Sequence, residues 1–172
     1  MRIAVNVAPQ QLSDIRLPQI VHQVLLETGL AASRLEIEIT ESGIIADHQY
    51  ALQAIRRLKG LGVKVAMDDY GTGYSSLSTL QSFPFDKIKI DKAFIDGVVT
   101  NKQSAAIVRS TLILAASLDI PVLAEGVESE EHIDFLRREG CMQVQGFLFG
   151  KPVSRDGIEY LVNSDALSVT AA

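Results

Sequence analysis

The chain has 172 residues, 47% of them hydrophobic, with 16 Lys plus Arg against 21 Asp plus Glu and a net charge of −5. That length carries one domain with a substantial core, and the acidic balance argues against a DNA or RNA polymer held by phosphate neutralisation. A single cysteine, Cys141, excludes an internal disulfide, and no apolar run approaches the roughly 20 residues of a membrane span.

Met1-Arg2 leads straight into a strand-like run, so no signal peptide and a cytoplasmic location are expected. Ile3-Ala4-Val5-Asn6-Val7 reads as a strand with Asn6 as its polar residue, broken by Pro9-Gln10-Gln11. Pro18 suits the first turn of a helix. Ile20, Val21, Val24 and Leu25 are expected to form its apolar face, and Gly29 to cap its C-terminus. Leu35-Glu36-Ile37-Glu38-Ile39-Thr40-Glu41 alternates as a strand does. Leu35, Ile37 and Ile39 share one face, and Glu36, Glu38 and Thr40 the other. A half-exposed edge strand and a barrel strand whose inner face carries ligands both account for this pattern. A helix over 49–59 turns Ala51, Leu52, Ile55 and Leu58 inward, and Gly60 and Gly62 lead to a strand over 63–67.

That strand opens the most informative stretch, Val65-Ala66-Met67-Asp68-Asp69-Tyr70-Gly71-Thr72-Gly73-Tyr74-Ser75-Ser76-Leu77. It is predicted to stop at the two carboxylates, become a glycine-punctuated loop, and enter a helix at Ser75-Ser76-Leu77. Adjacent side chains in a strand point to opposite faces, but at a fraying end both can turn toward one cation. Neighbouring carboxylates repel unless something positive sits between them. A random Asp-Asp pair is a solvated turn, and Gly-Thr-Gly is a tight turn needing positive φ. Here the pair closes an apolar strand, which points to a metal site at the mouth of an α/β fold.

After a short helix and Pro84, Asp86-Lys87-Ile88-Lys89-Ile90-Asp91 alternates again, with Lys87, Lys89 and Asp91 on one face. An exposed face with a salt-bridged lysine is the plain account of it. A strongly apolar helix follows over 104–118, with 112–118 as a core segment. Pro121-Val122-Leu123-Ala124-Glu125-Gly126 reads as a buried strand ending in a carboxylate. Glu128, Glu130 and Glu131 open a helix, where the macrodipole favours acids; for Glu130 and Glu131 that structural role suffices. Gly140 caps this helix, 142–145 forms a last short strand closed by Gly146, and a short helix near 155–162 precedes a frayed tail. His22, His48 and His132 fall on predicted helices and read as structural or solvated.

Strand and helix alternate throughout, which argues for a parallel sheet with helices outside it. Each of the six predicted strands has a polar residue at or near its C-terminal end: Asn6, Glu38, Asp68, Lys89, Glu125 and Gln145. Parallel α/β folds build their sites at that edge.

Five motifs carry a resemblance: Leu35 to Glu41, the Asp68-to-Leu77 loop, Lys87-Ile88-Lys89-Ile90-Asp91, Ala124-Glu125-Gly126-Val127-Glu128, and Gln145-Gly146-Phe147-Leu148-Phe149. Together they resemble the EAL-domain family over nearly the whole chain. The resemblance implies a modified TIM barrel and hydrolysis of cyclic di-GMP to linear pGpG in bacterial second-messenger signalling. It implies Asn6, Glu38, Asp68 and Asp69 as ligands of two Mg²⁺ or Mn²⁺ ions, and Lys89 beside the attacking water. It further implies Glu125 as general base or metal partner, Gln145 as the residue that orders the site, and Glu41 as the anchor of the Asp-Asp loop. Asp91, Glu128 and Pro152 fall in motifs near the substrate. Tyr70 stands where the family usually has Phe. The chemistry suits the residues: hard oxygen ligands favour Mg²⁺ and Mn²⁺, and two such ions can stabilise both oxygens of an in-line phosphodiester displacement.

The Glu-Ala-Leu motif itself, which belongs upstream of Asn6, is absent. A TIM barrel has eight strands and about 250 residues. The expectation is therefore an incomplete (β/α) barrel over 1–153, with about six of eight strands, and a terminal helix and tail over 154–172. With two strands missing, unpaired edges favour homodimerisation or other self-association. A module that binds cyclic di-GMP or a protein partner without hydrolysis is the alternative to an enzyme.

Overall fold

The computed structural model describes residues 2–46, 48–71 and 77–163. In chain order its elements are β1 (Ile3–Val7), α1 (Pro9–Leu12), α2 (Leu17–Thr28), a 3-10 turn (Ala32–Arg34), β2 (Leu35–Thr40), α3 (Glu41–Ala46), α4 (His48–Gly60) and β3 (Lys64–Tyr70). There follow α5 (Leu77–Ser82), β4 (Lys87–Ile90), α6 (Lys92–Asp96), α7 (Lys102–Ser117), β5 (Val122–Ala124), α8 (Glu130–Arg138), β6 (Gln143–Val144) and α9 (Arg155–Asn163). The strands form one parallel sheet in sequence order, β1 to β6. Helical crossovers lay each strand beside the last, the winding of a TIM-like barrel. Among the described residues the sheet has six strands, with β1 and β6 outermost. No helix among the described residues is long and apolar enough to cross a membrane.

The alternating strands split cleanly into two faces. Ile37, Ile39, Val65, Met67, Ile88, Ile90, Val122 and Ala124 face outward and are buried with Ile55 and Leu58 of α4, Val108 and Ala115 of α7, and Phe135 and Leu136 of α8. Each large side chain so buried contributes about 1.5–3 kcal/mol. The inward face carries Glu36, Glu38, Asp68 and Lys89, all buried despite their charge. This decides between the two accounts of the Leu35-to-Glu41 stretch. β2 is an interior barrel strand, with Glu36 5% and Glu38 8% exposed.

Several expectations change. β3 does not stop before the carboxylates but runs through both to Tyr70. On α2, Leu17, Val21 and Leu25 pack on the core, while Ile20 and Val24 are about half exposed because no described element covers their side of the helix. Ile113 of α7 is likewise exposed, within a segment expected to be core. The plain account of β4 as a solvated face fails, since Lys89 is only 4% exposed. Three short helices add to the predicted set. Ala8 N–H donates to Gln11 Oε1 at 2.9 Å across α1, α3 starts directly after β2, and Asp91 Oδ1 caps α6 by accepting from Ala93 N–H at 2.8 Å. Gly29 and Gly140 end α2 and α8 with positive φ, as expected. The turn beyond Gly71, the helix entry at Ser75-Ser76 and the tail 164–172 lie outside the described residues.

Candidate functional site

The two adjacent carboxylates reach one side of the sheet through a bulge. Met67 pairs with Ile88 and Tyr70 with Ile90, so β3 spends one more residue than β4 over the same span. Asp69 takes up the excess at φ 54. That left-handed conformation costs a residue with a Cβ about 1–2 kcal/mol, and it breaks the alternation that would otherwise send the two side chains apart. As a result, single carboxylate oxygens of Asp68, Asp69 and Glu125 lie within 4.8 Å of one another. Glu125 arrives from the end of β5, where its N–H bonds Ile90 O at 3.1 Å.

Lys89 sits at the centre of this group. Its Nζ lies 2.8 Å from Glu38 Oε2, 2.9 Å from Asp68 Oδ1 and 2.9 Å from Glu125 Oε1. An ammonium has three hydrogens, and here three carboxylates surround it. Burial alone would push the Lys89 pKa down, but its close contacts with Glu125, Glu38 and Asp68 outweigh it and hold the pKa well above the ordinary lysine value. Burial raises the Glu125 carboxyl; Lys89 opposes that, and the charges of Asp68 and Glu38 add to it. Asp69 is raised by burial first, then by the Asp68 charge and by its hydrogen bond with Asp91.

Four carboxylates thus face one ammonium, an imbalance that favours further cations. Buried Asp68 Oδ1 is within ion-pair distance of Lys89 yet accepts no aligned hydrogen bond. The donor set is all oxygen, which fits a hard divalent ion of the Mg²⁺ or Mn²⁺ kind.

The other predicted residues surround this centre. Asn6 pairs in register with Glu38 and shares its face, but on the outermost described strand, where it is exposed. Glu41 begins α3 and is 2% exposed, and neither carboxylate oxygen has a hydrogen-bond partner among the described residues. After burial, its charge is what raises the Tyr70 hydroxyl, so it lies close to the exit of β3. Gln145 donates its backbone N–H to Ala124 O at 2.8 Å and so aligns with the end of β5. A cleft of about 480 Å³ opens beside Glu125 and is lined by Lys92, Glu128, Gln145, Phe147, Lys151 and Pro152. Its floor is close: a Cβ at Gly146 would overlap the Val127 backbone, and one at Gly126, where φ is 71, would overlap Lys92.

Sequence reasoning missed three features here. Lys92 pairs with Glu128 and with Asp96, and nothing in the local pattern marks it. The Lys151 ammonium lies 5.9 Å from the centre of the Phe147 ring. Glu36 and Lys87 form a buried ion pair beneath the site, and the two alternating stretches that hold Glu38 and Lys89 did carry that signal.

The EAL domain model matches residues 1–152. An uncharacterized signaling protein of Caulobacter vibrioides is 58% identical over 158 residues, covering 92% of this chain and 20% of that protein. Among solved structures, PaMucR phosphodiesterase in complex with c-di-GMP superposes with a TM-score of 0.88 at 38% identity, covering 91% of this chain and 64% of that one. Klebsiella pneumoniae BlrP1 in complex with manganese and cyclic di-GMP gives 0.82 at 35% identity, covering 88% and 39%. The chain spans about a fifth of the length of the curated relatives it matches.

Proposed function

This chain belongs to the EAL domain family, and on that premise we propose that its site serves the hydrolysis of cyclic di-GMP to linear pGpG with two divalent ions, Mg²⁺ or Mn²⁺. The observation that carries the reading is the bulge at Asp69, which gathers Asp68 and Asp69 with Glu125 around a buried ammonium. In this reading Asn6, Glu38, Asp68 and Asp69 hold the ions, and Glu125 stands beside them. When bound, the ions would supply Lewis-acid stabilisation of the attacking and leaving oxygens.

The residues of the chain do the rest. Lys89, held among three carboxylates, stays an ammonium at neutral pH. It orients those carboxylates and donates hydrogen bonds; it does not accept a proton. Glu125, with its carboxyl raised by burial, is the group suited to take one. Gln145, Glu128 and Pro152 line the adjoining cleft, which is large enough to bury part of a nucleotide, and Asp91 steadies Asp69. Glu41 anchors the segment that follows Tyr70. The domain occupies 1–153, with α9 and the tail outside it, in keeping with a family match that ends at 152 and a helix that begins at Arg155. A cytoplasmic location belongs to the same reading, in keeping with the free buried thiol of Cys141.

Incubation with cyclic di-GMP and Mg²⁺ or Mn²⁺, with products separated by chromatography, tests this. The chain is assayed alone and fused behind the matching N-terminal part of the EAL domain of the Caulobacter vibrioides relative. Linear pGpG from the longer form is expected, and its absence refutes hydrolysis. One observation favours a second reading for the chain by itself, namely the exposure of Asn6 on the outermost described strand. A site open on that side binds cyclic di-GMP without turnover, and calorimetry reads that directly. Self-association through the same edge, where Ile3 and Val5 are exposed, would appear in light scattering as a dimer.

A further inference from the structure

Beneath the candidate metal centre lies a second buried ion pair that the proposed chemistry does not use. Lys87 Nζ donates to Glu36 Oε1 at 2.8 Å and to Oε2 at 2.9 Å. Glu36 is 5% exposed and sits two residues before Glu38 on the same inner face of β2. Lys87 sits two residues before Lys89 on β4. Stability is a weak reason for the pair, because an apolar pair of the same volume often serves as well as a buried ion pair.

Its geometry supplies another reason. β2 and β4 lie on either side of β3, two strand spacings or about 9–10 Å apart. Both lysines pair with carboxylates on β2, across β3, and between them on the inner face of β3 sits the small, buried Ala66. Ala66 pairs in register with Glu38 on one side and with Lys87 on the other. The inner carboxylate level with Lys87 is therefore Glu38. Lys87 leans one step down to Glu36, just as Lys89 leans from the level of Thr40 down to Glu38. Glu36 thus occupies a lysine whose strand position is level with Glu38.

We propose that Glu36 is a positioning residue for the metal centre: it holds Lys87 on the lower layer and so keeps Glu38 free for Lys89 and the cation. The inference rests on the metal reading above and goes beyond it, since neither Glu36 nor Lys87 touches the proposed ions. Without Glu36, the flexible Lys87 stem swings up to Glu38, and its ammonium competes with the divalent ion for that carboxylate.

The test is titration of the 172-residue chain with Mn²⁺ by calorimetry, paired with a thermal unfolding scan. Glu36→Gln is expected to weaken Mn²⁺ binding about tenfold, the usual loss when a residue behind a metal ligand is removed. The double variant Glu36→Gln/Lys87→Met is expected to restore the affinity, because the competing ammonium is gone. A crystal structure of metal-free Glu36→Gln should place Lys87 on Glu38. Glu36→Met carries the same expectations and serves if the Gln variant does not fold. Wild-type affinity in the single variant overturns the proposal, and so does equal weakening in the single and double variants, which marks Glu36 as merely structural. No Mn²⁺ binding by the wild-type chain would instead overturn the metal reading, and this inference with it.

Discussion

Val5 and Ile37 are register partners on adjacent strands and point to the same outer face of the sheet, yet Val5 is 43% exposed and Ile37 3%. The inner face repeats the contrast. Asn6 and Glu38 are also register partners; Glu38 is buried in an ion pair with Lys89, while Asn6 is exposed. Strand β1 therefore has the pattern of an interior barrel strand without its surroundings. The run from β2 to β5 has both, with α4, α7 and α8 outside and the Lys89 cluster within. Alternation fixes which residues share a face, but only a packed neighbour turns a face into a core or a site. One side of the candidate site is thus enclosed by packed elements, and the other is exposed among the described residues.

The largest break in that contrast comes from Lys89. Lys89→Met removes the single ammonium among three carboxylates. Removing one partner of a buried pair costs about 3–5 kcal/mol, and urea unfolding of the metal-free chain is expected to show a loss of that order. Saturating Mn²⁺ should return part of it, because a cation again stands among the carboxylates. A loss below about 1 kcal/mol, the range of surface pairs, would mean that the built side is not held together by this charge.

Asp68→Asn acts on the same wall with a different signature. It removes a negative charge from a group that already crowds Asp69 and Glu125. Metal-dependent turnover in the full-length protein is expected to vanish, while the metal-free protein loses less stability than Lys89→Met does, because Glu38 and Glu125 still hold the Lys89 ammonium. Wild-type activity in this variant would refute the assignment of Asp68 as a metal ligand.

The contrast between Val5 and Ile37 can be measured directly. Ile37→Val is expected to cost about 1 kcal/mol, the usual loss for a buried methylene. Val5→Thr in the chain by itself should cost no more than about 0.5 kcal/mol, as surface changes do. If both positions respond alike, β1 is covered in solution, and light scattering would then show whether a second copy covers it.

Much of this was legible in the residues. The six strands and their polar ends follow from local apolar runs and alternation, which need only the sequence spacing of side chains, whereas their arrangement in a barrel is what the family resemblance implies. The bulge was not legible. The extra residue at Asp69 exists only relative to β4, 20 positions further on, and no local signal records a register between strands. The exposure of Ile20 and Val24 was hidden for a related reason, since amphipathicity names the apolar face of a helix but not what covers it. Helices α1, α3 and α6 have four, six and five residues, too few for a helical period to show. The Lys87–Glu36 and Lys89–Glu38 pairs lay in plain alternation, but a lysine stem that crosses an intervening strand cannot be inferred before Ala66 is known to lie in between.

A further modest effect is expected at the opposite end of the built wall. Asp86, just before β4, takes Lys59 at 2.7 Å, Lys64 at 2.9 Å and the Val65 N–H at 2.9 Å. Burial pushes its carboxyl up, but those three partners outweigh burial and hold it below its ordinary value of 3.8. A carboxylate whose folded pKa is depressed contributes stability that is fully present above the unfolded pKa and disappears as pH falls through the folded one. Asp86→Asn should therefore be less stable than wild type at neutral pH, by about 0.5–1 kcal/mol for so solvent-accessible a group of lysines. The gap should close on acidification below the ordinary carboxylate range. Salt should narrow it as well, since the Lys59 and Lys64 side chains remain partly exposed and exposed charges are screened. The buried Lys89 cluster should respond far less to salt. Equal salt sensitivity of Asp86→Asn and Lys89→Met would erase the distinction between a charge group that merely ties β3 to β4 and one enclosed at the centre of the site.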